Sequence, residues 1–387
     1  MLTSIDTRRG CIGGVNIREI EAKSILLKHE KIDSWFISRY GMNLYRGCAH
    51  NCVYCDGRSE RYRVDGVFGE DVAVKTNAIE VLRRELNPIG RRAKLKPSYV
   101  MLGGGVGDSY QPVEGKYELT RRALQLLCEC GWPVHVLTKS TLVERDADII
   151  ERINQQNGAI VSFSFSSTND ELGAAFEPRV PTPSERLKTL AFFKRKGIAC
   201  GMFLLPVIPF ITDTPEAIAE ALRKAHGIGV DFVIFGGMTL KKGRQEEYFY
   251  NSLRARRPEL LAGYEQIYRG NEWGQATDEY YDAINSIFDE MSRRYKVARR
   301  IPPVLYRDIL SENDLVVVML EHLDYFLRLQ GKRSSFGYAA HAISKLKNPL
   351  SNMKNTLREI KGIGERTEKI ILEILETKNS AYYNNLM

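Results

Sequence analysis

Cys48, Cys52 and Cys55 stand close together in the run RGCAHNCVYCDGR (residues 46–58), while the other four of the chain's seven cysteines are scattered. Thiolates at Cys-x3-Cys-x2-Cys spacing can wrap one soft metal centre, either a zinc ion or an iron–sulfur cluster. Structural zinc wants four ligands, and no second Cys or His pair follows at finger-like spacing; His50 lies inside the loop itself. A cubane held by three cysteines leaves one iron without a protein ligand. An open iron of that kind can bind a molecule that chelates through an amine and a carboxylate.

Such a trio needs a rigid support. Between Tyr40 and Gly237 short β-branched runs (MNLYR, SYVMLGGG, VHVLTKS, AIVSFSF, ACGMFLLPVI, DFVIFGG) alternate with amphipathic stretches such as NAIEVLRREL and TPEAIAEALRKAHG. Strands alternating with helices imply βαβ units and a parallel sheet. Six units predict an α/β fold with a partial (β/α)6 barrel rather than a closed eight-stranded one. In a parallel barrel the chemistry sits at the C-terminal strand ends. The trio, Gly103, Gly104, Gly105, Asp108, Lys139 and Ser164 all follow or end predicted strands, so they are expected on one rim, with Tyr110, Gln111, Glu177 and Arg179 as further candidates in its loops. The predicted organisation is an N-terminal extension (1–39), the barrel (40–240), a helical extension (241–330) that contains the basic linker RRYKVARRIPP near Pro302 and Pro303, and a basic module (331–387).

Composition narrows the class. At 387 residues, with 43% hydrophobic and 27% charged residues, the chain reads as a soluble enzyme with one large domain and additions. It has no long apolar window and no secretory leader pattern, and an odd number of cysteines argues against a disulfide framework, so reduced thiols in the cytoplasm are expected. The net charge is +8, and residues 331–387 carry ten Lys/Arg against five acidic residues, an excess of five. That excess favours an anionic partner.

Within this tail, NTLREIKGIGERTEKIILEIL reads as helix, tight turn, helix. Gly362 and Gly364 permit the turn, and Ile370, Ile374 and Leu375 recur on one helical face. Backbone N–H groups at such a turn bind phosphate oxygens without reading bases, and Lys361, Arg366 and Lys369 would add attraction. Glu365 and Glu368 suit the first turn of the second helix. The alternative for the hairpin is a packing element.

The blocks LYRGCAHNCVYC, GDSYQPVEGKYELTRRALQLL, VLTKSTLVERD, FEPRVPTPSERL and LLPVIPFITD, in that order over roughly residues 18–240, resemble the radical S-adenosylmethionine superfamily and its spore photoproduct lyase-like branch, the DNA repair photolyase homologues. The tail resembles the helix-hairpin-helix of DNA-repair proteins. The resemblance implies a [4Fe-4S] cluster on Cys48, Cys52 and Cys55 and S-adenosylmethionine on its open iron. It also implies contacts to that cofactor from Gly103, Gly104, Gly105, Lys139 and Ser164, and Tyr54 near the radical path; Asp108, by its place in the rim loop after the second strand, is a candidate for positioning the substrate. An electron donor such as flavodoxin or ferredoxin and a nucleic-acid substrate, DNA before RNA, follow from the same likeness, as does lesion repair; modification of a base, a small molecule or a peptide is the second reading, and a zinc-bearing DNA-binding protein the non-enzymatic one. The pattern departs at two places. The region after the second strand, MLGGGVGDSYQP, has no hydrogen-donating cysteine, and Asp56 stands where the branch carries a tyrosine. Cys200 and Cys11 are the thiols left to replace the donor, while Cys128 and Cys130 read as structural.

Overall fold

The computed structural model describes residues 9–12, 14–87, 95–270 and 273–387. A four-stranded sheet, in the order β1-β2-β6-β5, is formed by β1 (Arg9–Ile12), β2 (Val15–Ile20), β5 (Tyr45–Arg46) and β6 (Asp71–Lys75). A seven-stranded sheet is formed by β3 (Leu26–Asp33), β4 (Ser38–Met42), β7 (Tyr99–Leu102), β8 (Val134–Thr138), β9 (Ala159–Phe165), β10 (Ala199–Val207) and β11 (Phe232–Gly237), in the order β11-β10-β9-β8-β7-β4-β3. The strands β4 and β7 to β11 run parallel, and β3 lies antiparallel on the edge. This is the curled partial barrel expected from six repeating units. The first barrel strand is β4, four residues ahead of the expected MNLYR segment. That segment splits: Met42 ends β4, while Tyr45 and Arg46 pair with β6 in the small sheet.

The helices between strands form where capping and apolar spacing agree. Thr182 caps the helix Pro183–Arg195 in a capping box with Glu185, behind a proline at its first turn. Thr214 caps Pro215–Ile228 by accepting from Ala217 N, again with a proline in the first turn but without a capping box. Their apolar faces pack on the outer side of the sheet, where Val134 and Val136 of β8, Val161, Phe163 and Phe165 of β9, and Cys200, Met202 and Leu204 of β10 meet them. Alternation along each strand turns His135, Ser162, Ser164 and Phe203 to the inner side. There Phe36 stacks on Phe203 (centroids 5.5 Å apart), and His135 contacts Phe36 O (3.0 Å) and Ser162 Oγ (2.8 Å).

The inner side is closed by the helix Glu312–Leu329. It shares one core with Ile32, Tyr99, Ile160, Phe203, Phe232 and Ile234, and with Leu350, Leu357, Ile370, Ile371 and Ile374 of the tail. Asp314 on this helix is ion-paired to the buried Arg39 of β4. Two expectations change here. The run RRYKVARRIPP is not an exposed linker: Arg299 and Arg300 are buried, and Val233 N of β11 donates to Ala298 O (2.8 Å), so this segment borders the sheet. The tail, in turn, docks its apolar face into the barrel core. No helix among the described residues is long and apolar enough to cross a membrane.

Candidate active site

A cavity of about 400 Å³ opens at the C-terminal ends of the parallel strands. Its lining includes Cys48, Cys52, Cys55, Tyr54, Asp108, Gly104, Gly105, Lys139 and Ser164, so most of the predicted residues meet in one place. The loop bearing the trio is braced from outside. Gln111 accepts from Ala49 N (2.8 Å) and donates to Gly47 O (3.1 Å), and the buried Arg58 donates to Cys52 O (3.3 Å) and Phe68 O (3.2 Å). The Arg58 guanidinium also lies 3.4 Å from the centroid of Tyr248.

All three thiols are free, and burial pushes each of them up; Glu177 adds to this at Cys52 and Asp108 at Cys48. Thiols in such a setting ionise only against a cation. Among the described residues no three His, Cys, Asp or Glu side chains converge where one metal ion could sit. The trio therefore fits a cluster that offers each thiolate its own iron better than a zinc ion, whose ligand atoms all stand about 2.0–2.3 Å from one centre.

The glycine strip after β7 gives access. Gly103 has φ +93°, and a Cβ there would lie 2.0 Å from Leu137 O, whereas a Cβ on Gly105 would meet nothing within 4 Å. The first glycine is required by the turn, and the third leaves backbone open to the cavity. Asp108 is a fastener for the same rim. It accepts from Thr138 Oγ1 (2.7 Å), Lys139 N (2.7 Å) and Tyr110 N (2.8 Å), and lies 3.3 Å from His50 Nε2. Burial works to raise its carboxyl, but His50 and these N–H groups outweigh it and hold it below the ordinary carboxylate value.

Opposite stands a buried charge network that the sequence reading missed. Glu177 accepts from Tyr54 OH, from Lys139 Nζ (3.1 Å), from Ser166 Oγ (3.1 Å) and from Arg186. Arg186, fully buried, also donates to Ser164 O (2.6 Å), and its guanidinium lies 4.8 Å from the centroid of Phe165. Lys139 Nζ donates to Ser164 Oγ (3.0 Å), which donates to Leu205 O (2.9 Å). Although burial alone would raise the Glu177 carboxyl, Arg186 and Lys139 lower it to about 2. Arg186 sits in the quoted FEPRVPTPSERL block, four residues after the capping Thr182; only its placement on the inward face of a capped helix marks it out.

Several candidates are elsewhere. Cys200 faces outward from β10, with Sγ 3.4 Å from Ile198 O and 3.7 Å from Leu190 O, so strand parity turns it away from the cavity. Cys11 is exposed on β1, outside this cavity. Tyr110 is buried against Asp146 (3.1 Å), and Gln111 serves the frame of the loop. Arg179 does not pair with Glu177; it donates to Gly69 O (2.9 Å) while its own carbonyl meets His50 Nδ1 (3.1 Å). Asp56 reaches Thr239 Oγ1 (3.2 Å), Lys241 and the hydroxyl of Tyr62 across the mouth.

In the tail, Gly362 (φ +94°) turns between a 3₁₀ helix (Leu350–Glu359) and the helix Glu365–Thr377. A Cβ on Gly362 would lie 2.5 Å from Tyr338, while Gly364 faces open space. Lys361 Nζ lies 5.7 Å from the Tyr338 ring centroid, Arg366 4.3 Å from that of Tyr382, and Lys369 pairs with Glu365 (2.8 Å).

Residues 42–222 match the Radical SAM superfamily. An uncharacterised protein of Mycobacterium tuberculosis is 32% identical over 297 residues, covering 75% of this chain and 85% of its own. One of Methanocaldococcus jannaschii is 26% identical over 213 residues, 55% of this chain and 75% of its own. Among solved structures, spore photoproduct lyase complexed with dinucleoside spore photoproduct has the same fold (TM-score 0.54, 15% identity, 72% of this chain and 79% of that one). A variant of that lyase with bound AdoMet and the same dinucleoside is alike too (TM-score 0.51, 17% identity, 69% and 77%). With the family's matched region spanning the cysteine loop and four of the six parallel strands, β7 to β10, this chain belongs to the radical SAM superfamily, whose enzymes use a [4Fe-4S] cluster and S-adenosylmethionine.

Proposed function

We propose that Cys48, Cys52 and Cys55 hold the cluster, that Gly103–Gly105, Lys139 and Ser164 receive S-adenosylmethionine, and that the substrate is a nucleic acid, with repair of a DNA lesion as the leading activity. Held by these residues, the cluster and S-adenosylmethionine would supply reductive radical chemistry that removes hydrogen from the substrate. The chain supplies position and charge.

The observation that carries this reading is the charge balance behind the trio. Lys139 and Arg186 are two cations around one carboxylate, Glu177. One positive charge is left over, and Lys139 presents it to the cavity wall beside Ser164. A ligand carboxylate there completes the balance, as the methionyl carboxylate of S-adenosylmethionine would. The open backbone at Gly105 leaves room for the amine end of the same molecule. Glu177 also fixes Tyr54, so the cofactor's anchor and the aromatic beside the cysteines are oriented by one group.

The nucleic-acid assignment rests on the shared fold with a lyase solved with a dinucleoside lesion, and on the basic tail. There Lys361, Gly362, Gly364, Arg366 and Lys369 would hold a backbone phosphate at the start of the helix Glu365–Thr377, where open space at Gly364 permits approach. Base modification is the second reading, favoured by the placement of Cys200 outside the cavity, which withdraws a candidate for the final hydrogen transfer. The test is anaerobic turnover with deuterated oligonucleotides. Label arriving in 5′-deoxyadenosine identifies both polymer and position; reductive cleavage that no oligonucleotide stimulates or labels overturns the nucleic-acid assignment.

A further inference from the structure

Beside the reaction cavity lies a second groove of about 410 Å³, and the two share Phe36, Tyr62 and the Gly104–Gly107 loop. Its far wall belongs to the small N-terminal sheet. Arg46 on β5 pairs with Ala73 on β6, so its side chain leaves the sheet on the same face as Ala73 and, two residues on, Lys75. Such diagonal neighbours stand about 7–8 Å apart, within reach of one anion held between two long side chains. Both residues line the groove.

Neither cation is matched by a carboxylate. Among the described residues Lys75 Nζ donates only to Asn43 O (2.6 Å) and Asn43 Oδ1 (3.1 Å), both uncharged. The Arg46 guanidinium has no hydrogen-bond or ion-pair partner among the described residues. Among the described residues lining the groove the one carboxylate, Asp33, is engaged by the N–H groups of Trp35 (2.8 Å) and Phe36 (3.3 Å). By contrast Arg18, on the neighbouring strand, is paired with Asp65 at 2.7 Å. Burial, and then the charge of Arg46, lower the Lys75 ammonium to about 8, outweighing the opposing charge of Glu85, which makes no ion pair with it. Tyr62, 41% exposed, stands where groove and cavity meet and offers a ring of the kind on which bases stack.

We infer that Arg46 and Lys75 form a subsite for a phosphodiester of a single nucleic-acid strand, seating the backbone in the groove while the attached nucleoside passes Tyr62 into the reaction cavity. The inference rests on the nucleic-acid reading above and adds to it how the strand is presented. A base inside a duplex cannot reach a recessed cavity, so the target nucleotide enters unpaired or extruded.

The experiment compares wild type, Arg46→Gln, Lys75→Gln and Lys75→Arg as reconstituted holoenzyme, with Lys188→Gln on an exposed outer helix as a charge control. Binding of a short single-stranded DNA, and of RNA of the same sequence, is followed by fluorescence anisotropy over a salt series; melting curves confirm that each variant folds. Each Gln substitution in the groove is expected to weaken binding severalfold and flatten the log K against log salt slope by about 0.7, the effect of one lost single-strand phosphate contact. Lys75→Arg keeps the slope. Preference for one of the two polymers identifies the source of the phosphodiester. If wild type binds and the groove variants behave as Lys188→Gln does, the subsite is overturned while the nucleic-acid reading stands. If wild type binds neither strand, that reading falls and the subsite with it.

Discussion

Replacing Glu177 with glutamine keeps the side chain's volume and removes its charge, leaving the buried Arg186 and Lys139 without a counter-ion. The size of the effect follows from the lowered pKa of Glu177, from the ordinary 4.5 to about 2. A shift of about 2.5 units at about 1.36 kcal/mol each corresponds to roughly 3 kcal/mol of stability at neutral pH. That matches the range of about 3–5 kcal/mol for breaking a buried ion pair from one side. For 387 residues at about 2.1 cal/mol/K each, the unfolding entropy is about 0.8 kcal/mol/K, so Tm should fall by about 4 °C. Because the folded-state pKa is depressed, this contribution is complete above pH 4.5 and is lost as pH falls toward 2. The gap between wild type and Glu177→Gln should therefore narrow below pH 4.5. The assay is a double-mutant cycle with Arg186→Met, read by thermal and urea unfolding of the anaerobic holoenzyme. The double variant should be clearly less unstable than the sum of the singles. Strict additivity, or a Glu177→Gln penalty independent of pH down to pH 3, would refute the reasoning.

Cys52→Ala should abolish reductive cleavage of S-adenosylmethionine and lower bound iron, as followed by 5′-deoxyadenosine release and iron content, whereas Cys200→Ala should change neither. Gly105→Ala should weaken S-adenosylmethionine binding, measured by calorimetry, with Tm held within about 1 °C, since its Cβ meets only open space; Gly103→Ala should instead cost about 2 kcal/mol or more of stability, because of its left-handed backbone and the clash with Leu137 O. Removing residues 331–387 would strip Ile370, Ile371 and Ile374 from the shared core, so that truncation tests folding before binding. Lys361→Gln with Lys369→Gln is the sharper probe of the tail, and should flatten the salt dependence of duplex binding without shifting Tm.

The cysteine trio and the repeating strands were legible because their signals are local. Ligand spacing is written in eight consecutive residues, and a parallel strand buried on both faces needs only a short run of apolar and β-branched residues. The rim was legible too, since glycine and polar residues directly follow those runs. The first strand was placed four residues late because the chain leaves one sheet and enters another within MNLYR, and both ladders accept the same residue types. Local pattern could not show which of the many charges are buried together. Glu177 found Arg186 and Lys139 rather than Arg179 because a capped helix after β9 turns one arginine inward. Cys200 was excluded by the parity of β10, which depends on the face that the helices cover. The run holding Arg299 and Arg300 read as an exposed linker until the sheet edge and the helix Glu312–Leu329 buried it. Motif and strand order were thus properties of the amino-acid sequence alone; the tertiary structure decided which polar groups lost water, and with that which of them had to find each other and which, like Arg46 and Lys75, were left without a carboxylate bonded to them among the described residues.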